Sequence, residues 1–137
     1  MDEDILIIDN NGLYFKTVYE GAAVEETIDS GKLYSFVNAV ITLDNTGSGI
    51  IVFIVSTDSG VSWKAWNGSS WVLVNITNME DVKIKGMIVS VLQGISEAQW
   101  TSLGLSDKKI RFAWYMEITS STDILKLKEI RVNYNTM

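Results

Sequence analysis

An antiparallel, all-β sandwich with jelly-roll-like connectivity and one short helix is the fold class this sequence predicts. Three observations carry it. Short β-branched or alternating segments recur along the chain, clusters of Gly, Asn, Asp and Ser separate them, and a complete helix-capping signal occurs once. With 137 residues, one domain spanning 1–137 is expected, because that length leaves little room for two separate cores. Hydrophobic residues at 47% and charged residues at 20% are ordinary globular proportions, so the chain is expected to fold without a partner.

The strands are expected near residues 13–19, 23–28, 33–43, 50–56, 62–66, 71–74, 82–92, 109–118 and 125–134. Residues 50–55 are apolar without alternation, short and β-branched, which predicts a central strand covered on both faces. Along 110–118 the set Ile110, Phe112, Trp114, Met116 and Ile118 alternates with Arg111, Ala113, Tyr115 and Glu117, the pattern of a half-buried strand. In the last segment the apolar set changes parity between Leu127 and Ile130. One extra residue at Lys128 or Glu129 would reconcile the two halves, so a bulge is predicted there. The single helix is expected after Ser96, which can cap it, with Gln99 returning the bond and Gly104 ending it; Trp100 and Leu103, three apart, would plug one end of the fold. The chain has no Pro, so turns fall to pairs such as Asn11-Gly12, Ser30-Gly31 and Asn67-Gly68.

Composition narrows the function. Eleven Lys plus Arg against 17 Asp plus Glu give a net charge of −6, the wrong sign for a phosphate backbone, so no nucleic-acid partner is expected. No membrane partner is expected either, since the longest apolar run, 50–55, is far short of a bilayer span. The acidic start Met1-Asp2-Glu3-Asp4 does not resemble the basic start of an export signal, and cytoplasmic synthesis is expected. With neither Cys nor His, disulfides, thiolate or imidazole catalysis and Cys- or His-ligated metal are excluded. No catalytic residue, metal site or cofactor is assigned.

The most specific motif is Ser56-Thr57-Asp58-Ser59-Gly60-Val61-Ser62-Trp63, which fits S-x-D-x-G-x-x-W at each fixed position. It resembles the Asp box of sialidases and related propeller proteins. Physically it encodes a tight hairpin: the Asp58 carboxylate accepts backbone N–H groups across the turn, Gly60 takes positive φ, and Trp63 packs beneath. The resemblance implies a folding device away from any active site, with Ser56, Asp58, Gly60 and Trp63 in structural roles. One box in 137 residues is too little for a propeller, and two arginines, Arg111 and Arg131, cannot supply a sialic-acid-binding Arg triad.

The box runs into Lys64-Ala65-Trp66-Asn67-Gly68-Ser69-Ser70-Trp71, which reads as a second hairpin turning at Asn67-Gly68. Trp63 and Trp66 are an odd number apart, so a regular strand aims them at opposite faces. Trp66 and Trp71 are therefore the candidate recognition or interface residues, able to stack on a sugar or fill a subunit contact; a satellite cluster bracing two hairpins is the alternative. Acidic residues such as Glu25, Glu26, Asp29 and Asp44 fit solvated turns and edges better than a glycosidase pair. The Asp9-Asn10-Asn11-Gly12 run lacks the spacing of a calcium loop. Asn67-Gly68-Ser69 and Asn75-Ile76-Thr77 match the glycosylation sequon, which has meaning only on an exported chain.

The stretch from Ile51 to Trp71, a strand into an Asp box and then a Trp-Asn-Gly-x-x-Trp hairpin, is similar to segments in structural proteins of tailed bacteriophages and related contractile particles. In those proteins a helix like 96–103 and strands like 109–118 and 125–134 follow in the same order, so the resemblance covers the C-terminal two-thirds. It implies a non-enzymatic virion component, a head decoration, neck part or tail appendage, present as a homo-oligomer and contacting other virion proteins. The alternative is a carbohydrate-binding module with Trp66 or Trp71 as a stacking platform, for which a host surface glycan is the partner.

Overall fold

Two antiparallel sheets and three short helices make up the computed structural model, which describes residues 19–20, 24–27, 33–104, 109–118, 120 and 122–136. In chain order the elements are β1 (Tyr19–Glu20), β2 (Val24–Thr27), β3 (Leu33–Thr46), β4 (Ile50–Ser56), β5 (Trp63–Trp66), β6 (Trp71–Val74), α1 (Met79–Lys85), α2 (Val89–Gln93), α3 (Glu97–Leu103), β7 (Lys109–Glu117) and β8 (Ile124–Thr136). The larger sheet runs β1-β7-β4-β5-β6, with β2 pairing farther along β7; the smaller one is the long antiparallel pair β3-β8, strands far apart in sequence. Residues from both sheets enter one hydrophobic core. The expected turns at Asn11-Gly12 and Ser30-Gly31, the Asp9 to Gly12 run, Asp29 and most of the first expected strand lie outside the described residues.

β4 sits where a run apolar on both faces belongs, between β7 and β5, and six of its side chains from Ile51 onward are buried. Its register with β7 pairs Ile51 with Met116, Phe53 with Trp114 and Val55 with Phe112, which puts these six on one face. The opposite face carries Val52, Ile54, Ala113 and Tyr115, and α1 lies over it: Val82 and Met79 close a small 40 Å³ cavity against Ile54, Ala113 and Tyr115. β7 is thus covered on both faces at Ala113 and Tyr115, where alternation predicted a half-buried strand. The helix supplies cover that a strand pattern cannot encode.

The bulge falls at Lys128. Thr42 pairs with Glu129 and Leu43 with Leu127, so Lys128 has no opposite residue, and Leu125, Leu127, Ile130, Val132 and Tyr134 all reach the core despite their change of parity.

The chain is not all-β with one helix. Residues 82–92, expected as a strand, form α1 and α2 instead. Asn78 caps α1 by accepting the amides of Glu80 and Asp81, acidic residues occupy the first turn and lysines the last, and these local terms outweigh the β-branched content. Gly86 ends α1 where a Cβ would lie 2.6 Å from the Val82 carbonyl and 2.7 Å from Val52 Cγ2. Strand character survives only at Met87, whose backbone exchanges two 2.8 Å hydrogen bonds with Phe53. The helix predicted from the capping box is present: Ser96 accepts the Gln99 amide, the Gln99 carboxamide accepts the Ser96 amide, and Trp100 and Leu103 are buried.

Candidate recognition surface

The residues of the S-x-D-x-G-x-x-W stretch converge on one turn. Ser56 Oγ donates to Asp58 Oδ1 at 2.7 Å and accepts the Gly60 amide at 2.9 Å; the Ser62 amide donates to Asp58 Oδ1 at 2.9 Å and its hydroxyl to Asp58 Oδ2. Ser59 and Gly60 both have positive φ, 60° and 84°, which brings the chain back on itself within four residues. A side chain at Gly60 would collide with Arg111, whose Nη1 lies 2.4 Å from the Cβ position. Trp63 is buried where the chain leaves the turn.

Burial pushes the Asp58 carboxyl up, but the hydroxyl and amide of Ser62, the Ser56 hydroxyl and a backbone amide outweigh it and hold the group at about 2. A carboxylate so engaged accepts hydrogen bonds as a structural anion. It is poorly placed to take a proton from a substrate, since its lone pairs are occupied and its basicity is low.

The register of the second hairpin sorts the tryptophans. Val55 pairs with Lys64 and Trp66 with Trp71, so Lys64, Trp66 and Trp71 share the face that carries Val55, while Trp63, Ala65 and Val74 point toward α1. Trp66 and Trp71 are half-buried. They meet edge to face at 5.5 Å between centroids, and Trp71 in turn lies 5.4 Å from the buried Trp100. The Trp71 indole N–H donates to the Gln99 carbonyl at 2.9 Å, tying the hairpin to α3. The expected exposed Trp71 platform is therefore not free: its N–H and one neighbour on each side are engaged inside the fold. Asn67 stabilises the tip, its Oδ1 accepting the Ser69 and Ser70 amides at 2.9 Å each, and Gly68 takes φ 101°.

β5 pairs with β4 at Val55 and Lys64 and then diverges; at Phe53 the place of a paired strand is taken by Met87. The divergence leaves an open groove of 660 Å³ lined by Trp66, Val72, Ile84, Gly86, Ile88 and Val91 among others. A second depression of 520 Å³, lined by Val61, Leu73 and Ile76, adjoins it, and Lys85 borders both. Residues 82–92 were expected as a strand, which did not mark Ile84, Ile88 and Val91 as neighbours on the surface. Helical spacing does not group them: Ile84 lies in α1, Ile88 caps α2 in an extended conformation and Val91 lies within α2, with Gly86 and Met87 between the two helices.

Behind the groove, three titratable groups lock α1 to β7. Glu117 Oε1 accepts the Tyr115 hydroxyl at 2.9 Å and pairs with Lys83 Nζ at 3.0 Å. Burial first, and then the Glu117 carboxylate, push the Tyr115 hydroxyl up to about 12, while Lys83 and Tyr115 hold Glu117 below its ordinary value. Asp81 is held low by the Asn75 amide and by Lys85, which it meets at 3.0 Å. Asp44 pairs with Lys128 at 3.1 Å on the surface. Among the described residues no group of three or more His, Cys, Asp or Glu could hold a metal ion, and no helix is long and apolar enough to cross a membrane.

The chain matches no known protein family, no curated protein sequence and no solved structure.

Proposed function

We propose that the chain is a non-enzymatic structural protein of a tailed phage or phage-like particle, a head decoration, neck part or tail appendage that acts through protein–protein contacts. In this reading it is synthesised in the host cytoplasm, incorporated into the virion as a homo-oligomer, and the two sheets are the layers of a sandwich with jelly-roll-like connectivity. The observation that carries it is where the distinctive residues spend their chemistry. Asp58, Ser56 and Ser62 satisfy one another, and the Trp71 N–H is consumed by Gln99, so the motif stiffens a scaffold. What remains open is the apolar surface of Ile84, Ile88 and Val91, suited to another protein. The test is quantitative mass spectrometry of purified particles from the source strain. A fixed ratio of this chain to the major capsid or tail-tube protein is expected; absence from particles overturns the proposal.

A second reading, a carbohydrate-binding module, is favoured by one feature: half-buried Trp66 lines the open groove beside Asn67. Quenching of Trp fluorescence by a glycan, lost in a folded Trp66→Ala variant, would support it. No response across a broad glycan panel would remove it.

A further inference from the structure

We propose that α1 is an autoinhibitory cover for the edge of β6, in which Asp81 and Lys85 stand in for the strand that would otherwise add to the sheet there. β6 is the last strand of the larger sheet. Where it turns back on β5, the Asn67 amide donates to the Ser70 carbonyl at 3.0 Å, which fixes the alternation of the ladder. By that alternation Val72 and Val74 turn their amides and carbonyls toward β5. Trp71, Leu73 and Asn75 turn theirs outward, to the side where the sheet ends.

α1 meets two of these outward groups with side chains. Asp81 Oδ2 accepts the Asn75 amide at 2.7 Å, and Lys85 Nζ makes a longer contact, 3.5 Å, to the Leu73 carbonyl. One acceptor and one donor spaced along the edge are what a neighbouring strand would present. The two side chains stand one helical turn apart and meet at 3.0 Å, so each steadies the other and the arrangement is complete within one chain. The Asn75 amide is also the first cause that holds the Asp81 carboxyl below its ordinary value, which keeps the acceptor charged. α2 treats β3 in the same way, since Gln93 Oε1 accepts the Ile41 amide at 2.8 Å.

β6 needs a cover because it has no charge of its own. Its sequence, Trp71-Val72-Leu73-Val74, is β-prone throughout, and Leu73 is 64% exposed. The other outer strands carry charges in their own sequence: Glu20 in β1, Glu25 and Glu26 in β2, and Lys126, Lys128 and Arg131 in β8. On β6 the charges come from the neighbouring helix instead. α1 is also held lightly enough to lift. It has seven residues, of which Val82 alone is buried, and Met79 and Val82 close over a cavity without filling it.

The inference stands apart from the virion reading, because it concerns a contact that the folded chain prevents. The chain contains no Cys, so Leu73→Cys reports pairing of β6 between copies through a disulfide. Two β6 strands added antiparallel about position 73 bring those Cα atoms to about 5.5 Å, inside disulfide range. The full-length Leu73→Cys protein is equilibrated in a glutathione redox buffer with about 0.5 M NaCl, which screens the net charge of −6, and is read by non-reducing electrophoresis. It is expected to remain a single chain. Adding Asp81→Ala and Lys85→Ala removes both caps without loss of helix propensity, and should raise the equilibrium constant for the linked species at least about tenfold. Ile130→Val, which trims a buried side chain in the other sheet, lowers stability without touching the cover and should leave the constant at the Leu73→Cys level. A species already fully linked in Leu73→Cys, no rise in the triple variant, or an equal rise with Ile130→Val overturns the cover. If the triple variant loses its far-UV spectrum, Asp81→Ala and Lys85→Ala are each combined with Leu73→Cys alone, and no rise in either overturns it too. An oligomer built on another surface leaves positions 73 apart, so the composition of particles decides the virion reading by itself.

Discussion

Ser62 donates to both oxygens of the Asp58 carboxylate, through its amide to Oδ1 and through its hydroxyl to Oδ2. With Ser56 donating from the other side, the turn between β4 and β5 holds an anion in place of a run of backbone bonds. Replacing Asp58 with Ala strands a partly buried amide and two hydroxyls, and is expected to cost about 1–3 kcal/mol. The carboxyl titrates near 2 in the fold against an ordinary 3.8. A depressed folded value stabilises above the unfolded value and is lost as pH falls through the folded one. The advantage of wild type over Asp58→Ala should therefore be full at pH 7 and shrink from pH 4 toward pH 2, by on the order of 1 kcal/mol after solvent screening. Urea midpoints of both proteins at pH 7, 4 and 2.5 check this; a constant gap would show that the charge contributes nothing.

Trp71 couples the second hairpin to α3 by a hydrogen bond and by a tilted ring contact with Trp100, and the two contributions separate by mutation. Trp71→Phe keeps an aromatic ring but leaves the Gln99 carbonyl without the indole donor, with an expected loss of about 1 kcal/mol. Trp71→Ala also removes the ring contacts with Trp66 and Trp100 and should cost about 3 kcal/mol or more. Equilibrium unfolding followed by far-UV circular dichroism distinguishes them. Equal losses for Phe and Ala would mean that the ring contributes nothing beyond its N–H.

Much of this arrangement was legible in the sequence because it is written in local spacing. The turn from Ser56 to Ser62, the Ser96 and Gln99 capping box and the parity change at Lys128 each depend on residues within a few positions of one another. The opposite orientations of Trp63 and Trp66 follow from strand parity alone. What the sequence concealed was decided at a distance. Val82, Ile84, Ile88 and Val89 have strand-like side chains, and only the cap at Asn78 and the close approach of Gly86 to Val52 fix helices there. Burial of Ala113 and Tyr115 was hidden for the same reason, since the element that covers them was read as a strand. The engagement of Trp71 depends on Gln99, 28 residues away, and no spacing rule reaches that far.

Tyr115 should ionise at a higher pH than an ordinary tyrosine. Burial and the adjoining Glu117 carboxylate hold its hydroxyl near 12 against an ordinary 10.0. A raised folded value means that the contribution to stability is complete below pH 10 and is lost as pH rises from 10 toward 12. Glu117→Gln removes the charge but not the burial, so the value should fall part of the way toward 10. Absorbance titration at tyrosinate wavelengths, wild type against Tyr115→Phe and Glu117→Gln, reports it. A Tyr115 contribution centred at 10 in wild type would contradict the coupling to Glu117.

Lys128 matters as a position more than as a side chain. Its ammonium meets Asp44 at 3.1 Å with both groups about half exposed, so Lys128→Ala should change stability by no more than about 0.5 kcal/mol. Deleting Lys128 is a different perturbation. Thr42 faces Glu129 and Leu43 faces Leu127 only because one residue of β8 stands unpaired between them. Without it the strand must slip, and either Leu125 and Leu127 or Ile130, Val132 and Tyr134 rotate from the core to the opposite face. Exposing even the two leucines costs roughly 3–6 kcal/mol, a large part of the stability of a domain this size. The deletion variant is therefore expected to lose its cooperative thermal transition while Lys128→Ala keeps it. Differential scanning calorimetry of the pair decides the matter, and a deletion variant that melts like wild type would mean that β8 has no fixed register across the bulge.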